Sequence, residues 1–170
     1  MPQVQVEDGF LTFFLTQAYT WVYATYDAYD YTNIHIEAIM QSRQVSPSSM
    51  GLICRYSEHG WYEFTISEDG SYSVLFGQWL ADEIATYTPI ATDTSEYVHT
   101  GRDAGYVANK IGLTCQEDIL WLYMNEKLFR KLDVSRFDLT AGKVGVTAAS
   151  FENTSVIAAF GNISVSEPEK

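Results

Sequence analysis

The chain is short of cysteine, of positive charge and of long apolar runs, and each shortage closes off a class of function. Two cysteines and three dispersed histidines (His35, His59, His99) show no ligand spacing, which argues against a zinc site. No D-x-D-x-D-G loop occurs either, so neither a metal nor any other cofactor is assigned. Ten Lys and Arg stand against 22 Asp and Glu, a formal net charge of −12, and the basic residues are scattered without a patch. That balance disfavours nucleic acid and anionic membrane surfaces as partners. No apolar run approaches the ~20 residues of a spanning helix, so no membrane insertion is expected. Met1–Asp8 is polar and Phe10–Leu15 lacks a basic flank, so no signal peptide is expected here. Met1 equally suits the start of a piece cut from a longer protein.

Aromatic residues are what the chain has in abundance: twelve Tyr, nine Phe and four Trp in 170 residues. Such a load suits pleated, half-buried surfaces, and 46% hydrophobic residues are too many for a disordered chain. The length fits one domain with a core of its own. Residues 1–166 are expected to form it, with 167–170 as an exposed tail.

The pattern is all-β. GLICRY–SEHG–WYEFTI–SEDG–SYSVLF reads as two hairpins over Leu52–Phe76, with turns ending in Gly where positive φ is needed. A turn centred on Glu68–Gly70 puts Tyr62, Phe64 and Ile66 on one face with Tyr72, Val74 and Phe76. A second meander runs through Asn109–Asp133, with strands ending at Cys115, spanning Ile119–Met124 and continuing to Leu132. Phe10–Leu15, Trp21–Tyr26, Asn33–Gln41, Lys143–Ala149 and Val156–Val165 complete the strands, with Asp27–Thr32 a Tyr-rich turn and Ser42–Ser49 a loop. His35 and Glu37 share the polar face of their strand, as expected for a solvated sheet surface. Gln78–Ala108 lacks clean periodicity and reads as a long, functional loop carrying Trp79, with one helical turn at Ala81–Ala85.

The turn at Asn125–Glu126 sets a register problem. A two-residue turn would put Leu120, Leu122 and Met124 on the opposite face from Leu128 and Leu132. An odd loop with a bulge unites them and leaves Trp121, Tyr123, Phe129 and Lys131 on the other face, so the odd loop is expected. Cys54 and Cys115 both fall inside strands. They read either as two small buried hydrophobes or as one disulfide closing a loop of about 60 residues, worth ~3–4 kcal/mol.

Taken in order, GLICRY, WYEFTISEDGSY, NKIGLTC, LWLYMNEKL, AGKVGVTA and VIAAFGNISV resemble the concanavalin A-like lectin/glucanase jelly roll. More narrowly, the series is similar to the 3-keto-disaccharide hydrolase-like (LamG-like) domains of bacterial surface proteins and lipoproteins. The likeness spans roughly Phe10–Val165. Glu126 stands where that pattern has a turn Gly, and Gly161 where it has Asp. The resemblance implies an antiparallel two-sheet β-sandwich and an extracellular or cell-surface setting in bacteria, as a domain of a longer protein. That setting favours a Cys54–Cys115 disulfide on neighbouring strands.

A retaining glucanase of this architecture carries E-x-D-x-x-E on one strand, so that two carboxylates flank the bond. The motif is absent. Glu63 is the one carboxylate inside an aromatic strand, and Arg55 across the hairpin is its expected partner, as a structural ion pair. The reading is therefore a non-catalytic module that binds carbohydrate weakly, on Trp121 and Tyr123 with Trp79 approaching from the long loop and Arg55 and Glu63 nearby. A spacer or a module that binds a cell-surface protein is the alternative, and a glycoside hydrolase-like enzyme a further one.

Overall fold

The computed structural model describes residues 2–43, 46–102 and 105–169. Positions 1, 44, 45, 103, 104 and 170, which touch the expected loop at 42–49, the aperiodic stretch and the tail, lie outside them. Among the described residues thirteen strands run in chain order: β1 Gln3–Glu7, β2 Phe10–Leu15, β3 Trp21–Tyr31, β4 Ile34–Ser42, β5 Ser48–Ser57, β6 Gly60–Ser67, β7 Ser71–Ala81, β8 Ile84–Thr94, β9 Val107–Gln116, β10 Ile119–Met124, β11 Lys127–Asp133, β12 Gly142–Ser150 and β13 Val156–Ser166. Helix is confined to a single 3-10 turn at Ser135–Phe137 among the described residues. No helix there is long and apolar enough to cross a membrane.

Two antiparallel sheets stack as a sandwich. One has seven strands in the order β1-β2-β13-β4-β9-β10-β11, the other six in the order β3-β12-β5-β6-β7-β8. Strand alternation explains the core. Tyr62, Phe64 and Ile66 pair with Phe76, Val74 and Tyr72, and with Leu120, Leu122, Val144 and Val146 they are buried between the sheets. Each such side chain contributes about 1.5–3 kcal/mol on leaving water.

The structure departs from the local signals at several positions, among them a first strand at Gln3–Glu7. The expected turn at Asp27–Thr32 is strand as far as Tyr31, because the Tyr-rich segment continues along β12 to Gly142. The stretch after Gln78 is a long hairpin, with Ala81 opposite Ile84 and Trp79 opposite Ala85, so no helical turn forms at Ala81–Ala85. At β10–β11 the turn has two residues, Asn125 and Glu126, both at positive φ (50° and 71°). Such a turn matches the right-handed twist of the strands it joins. The bulge sits inside β11 instead: Tyr123 faces Leu128, Leu122 faces Arg130, and Phe129 is the extra residue. Leu128 is therefore exposed, whereas Phe129 turns inward against Phe64 and Tyr72. Leu132 keeps its place opposite Leu120, and Lys131 opposite Trp121.

Cys54 and Cys115 form a disulfide with Cα atoms 6.7 Å apart. The expected arrangement on neighbouring strands is replaced by one across the core. Cys54 lies on β5 of the six-stranded sheet and Cys115 on β9 of the seven-stranded one, so the bridge staples the two layers together.

Candidate functional site: the outer face of the six-stranded sheet

Side chains that alternate with the core set stand on the outer face, and the ladder register arranges them in rows. Trp21, Ala149, Ser49 and Ser67 form one row, and Tyr23, Thr147, Gly51, Thr65 and Ser73 the next. Thr25, Gly145, Ile53, Glu63 and Leu75 make the third, and Trp61, Gly77 and Tyr87 the fourth. An outer sheet face is ordinarily solvated. Here Trp61 and Ile53 are 0% exposed, and Glu63 is 3% exposed.

The cover comes from the edges of the same sheet. Tyr23 on β3 and Tyr87 on β8 touch hydroxyl to hydroxyl, although four strands lie between theirs. The sheet is thus curled into a trough. Tyr23, Tyr56, Trp79 and Tyr87 all pack on the Trp61 indole, with ring centroids 5.2–6.2 Å away. Trp79 also donates its Nε1–H to the Tyr56 hydroxyl at 2.9 Å. Gly77 makes this plug possible: a Cβ there would stand 2.3–2.7 Å from three atoms of the indole.

Glu63 lies beneath the plug. Trp61 Nε1–H donates to its Oε2 at 3.0 Å, and the Tyr23 hydroxyl lies close enough to act on its charge. Burial pushes the Glu63 carboxyl above the usual carboxylate range, and Trp61 and Tyr23 offset part of that rise. Burial and the nearby carboxylate likewise raise Tyr23 and Tyr87, so both phenols stay protonated as donors.

Beyond the plug the trough is open. A groove of about 250 Å³ remains, floored by Ser49, Thr65, Ser67 and Ser73, with Ser71 at its side. Trp21, Tyr87, Phe151 and Leu75 bound it, and among the described residues its lining carries no charged side chain. Flat aromatic faces pack against the C–H faces of a sugar ring, while hydroxyls exchange hydrogen bonds with its substituents.

The five residues expected at one site are in three places. Trp121 and Tyr123 stand half-buried on the outer face of the seven-stranded sheet, the opposite side of the molecule from Trp79. Trp79 therefore does not approach them. Lys131 Nζ lies 3.9 Å above the Trp121 ring, and Tyr123 meets His35 edge-on at 5.3 Å. Around Tyr123 a depression of about 410 Å³ is rich in charge, with Glu37, Lys110 and Glu126 in its lining. His35 bonds Thr114 at 2.7 Å and Glu37 at 3.2 Å, and Lys110 pairs Glu126 at 3.1 Å.

The expected Arg55–Glu63 ion pair does not form. Arg55 is a bulge residue at φ 52° whose side chain turns into the sandwich, away from Glu63. Its guanidinium donates to the carbonyls of Glu117 at 2.5 Å, Leu139 at 2.6 Å and Thr32 at 3.0 Å, which clamps three connections at one end of the fold.

Sequence reasoning missed the groove. Its one readable trace was hydroxyls at alternate positions, Thr65 and Ser67, then Ser71 and Ser73, on strands whose other face is apolar.

No protein-family model matches the sequence, and no curated protein matches it significantly. Solved structures do match in three dimensions. A Bacillus subtilis protein of unknown function with a galectin-like fold superposes with a TM-score of 0.71 at 9% identity, covering 98% of this chain and 86% of that one. The carbohydrate binding module CBM66 from Bacillus subtilis gives 0.59 at 13%, covering 95% and 84%. A Bacillus licheniformis beta-glucanase gives 0.59 at 13%, covering 98% and 82%. At these identities the likeness speaks for the backbone alone, and it agrees with the strand order and two-layer packing: the fold of this chain is the concanavalin A-like jelly roll.

Proposed function

We propose that this chain is a non-catalytic carbohydrate-binding module for uncharged glycans, acting outside the cytoplasm as one domain of a longer bacterial surface protein. The observation that carries the reading is the hydroxyl-floored, aromatic-walled groove on the curled sheet. An uncharged lining offers nothing to a carboxylate or sulfate group, and a net charge of −12 repels anionic polymers. Hydrolysis needs two carboxylates flanking the bond. The groove lining has none, and Glu63 is sealed beneath Trp61 and Tyr23. The Cys54–Cys115 disulfide supports an oxidising compartment. The neighbours named for carbohydrate binding and glucanase activity supply the analogy.

Affinity electrophoresis in gels containing laminarin, levan or galactomannan, with alginate as the anionic comparator, tests the reading. Retardation is expected with a neutral polymer only, at a Kd near 1 mM, about −4 kcal/mol. Trp21→Ala should weaken it at least tenfold, and Trp121→Ala should leave it unchanged. Loss of binding in Trp121→Ala alone would move the site to the Trp121–Tyr123 face. No retardation by any polymer would leave the surface-spacer reading in its place.

A further inference from the structure

We propose that Glu63 is a positioning residue for the groove. It anchors Tyr23, and through Tyr23 the wall residue Tyr87, so that the two edge strands of the six-stranded sheet are tied together across its outer face. This rests on the groove being the ligand site.

Glu63 is a buried carboxylate without a counter-ion among the described residues. A carboxylate taken out of water is costly unless paired with a cation, and a leucine of similar size would bury at no such cost. Glu63 is 3% exposed, and no Lys, Arg or His among the described residues forms an ion pair with it. Trp61 Nε1–H donates to it, and the Tyr23 hydroxyl is a second polar neighbour that acts on its charge. Tyr23 in turn meets Tyr87. With the Tyr23 proton turned toward Glu63, its oxygen is free to accept from Tyr87, and every member of the chain Tyr87–Tyr23–Glu63 has a polar neighbour.

The geometry gives that chain a task. Strands β3 and β8 are opposite edges of the sheet and share no backbone pairing. The Tyr23–Tyr87 contact is a direct hydrogen-bonded link from one edge to the other. Tyr87 also lines the groove, whereas Glu63 and Tyr23 do not. An acceptor at Glu63 therefore orients Tyr23 from below, and Tyr23 holds the Tyr87 ring where a sugar would pack on it. A buried acceptor facing two donors permits one arrangement, where an apolar side chain would tolerate several.

Amide hydrogen exchange, followed segment by segment, tests the tie without any ligand. Tyr87→Phe removes the hydroxyl on β8 and keeps the ring. It should accelerate exchange in β3, residues 21–31, at least threefold, across four intervening strands. Thr92→Ala, also on β8, should leave β3 as it was. Glu63→Leu should accelerate both edge strands, and Glu63→Gln, which keeps an acceptor oxygen, should stay within twofold of the parent protein. If Tyr87→Phe leaves β3 unchanged the proposal is overturned, and that result stands even if Glu63→Leu does not fold.

Retardation in laminarin gels supplies the second arm. Tyr87→Phe should weaken binding at least threefold while Glu63→Gln preserves it. Unchanged binding beside accelerated exchange overturns the positioning role. A parent protein retarded by no neutral polymer, with β3 still accelerated in Tyr87→Phe, removes the ligand role of the groove and leaves the tie intact.

Discussion

The two outer faces of this sandwich are built from the same kind of strand and end in opposite states. On the six-stranded sheet, side chains from opposite edges meet over the middle, Trp61 loses all contact with solvent, and a carboxylate is buried without a cation. On the seven-stranded sheet, His35, Glu37, Lys110 and Glu126 satisfy one another in partly solvated pairs, and Lys131 caps the Trp121 ring. Both faces place a glycine beside aromatic rings, Gly77 against Trp61 and Gly112 against Tyr123 and His35. The difference lies in curvature. A sheet that curls toward its outer face brings distant strands within side-chain reach, and polar groups caught there must find partners in the protein.

The largest expected effect comes from cutting the tie between the layers that carry these faces. The double variant Cys54→Ala/Cys115→Ala should lose about 3–4 kcal/mol, the loop entropy released over a sequence separation of 61 residues. Urea unfolding of the parent protein with and without dithiothreitol should reproduce that loss. A change below about 1 kcal/mol would mean that packing between the sheets holds them without the bridge.

Smaller, and aimed at the comparison itself, is the pair of glycine substitutions. Gly77→Ala drives a Cβ to within 2.3 Å of the Trp61 indole, which is itself confined by four other rings. Overpacking of that kind costs about 1–3 kcal/mol. In Gly112→Ala the new atom meets Tyr123 Cβ at 3.1 Å and His35 Cε1 at 3.2 Å, on a half-exposed face that can yield. A loss of less than about 1 kcal/mol is expected there. Equal costs for the two would show that the faces are equally tight.

The subtlest test uses pH. Because burial raises Glu63, the native state holds its proton to higher pH than the unfolded chain does. Its contribution to stability is therefore full below the ordinary glutamate range near ~4.3 and declines as pH rises from there toward the native pKa. Glu63→Gln removes this slope, so the stability of the variant relative to the parent should climb as pH rises from about 4. Asp69 and Asp133 are lowered by their bonds from Ser71 and Ser135, and they act in the opposite sense. They are common to both proteins and cancel in the difference. A flat difference across the range would place Glu63 in water-like surroundings.

Much of the fold was legible because the governing interactions are local. The Gly-ended turns joining β5, β6 and β7 set their own register, and period-2 alternation then assigned Tyr62, Phe64 and Ile66 to the core before any partner sheet was known. Legibility failed where two local solutions competed. Asn125–Glu126 accepted a tight turn at positive φ, and the compensating bulge moved into β11, which swapped the fates of Leu128 and Phe129.

Composition and alternation by themselves determined that the chain is an antiparallel sandwich with an aromatic core, since both follow from neighbours a few residues apart. Tertiary structure alone decided what those strands present to a ligand. Trp21, Ser49, Thr65 and Tyr87 come from four strands, and only ladder register and curl gather them around one groove. The same long-range geometry sent Arg55 into the interior, parted Trp79 from Trp121 and set Glu63 under two tyrosines from opposite edges. Alternation tells which face a side chain occupies. How far the sheet bends over that face depends on every strand at once, and no stretch of sequence carries it.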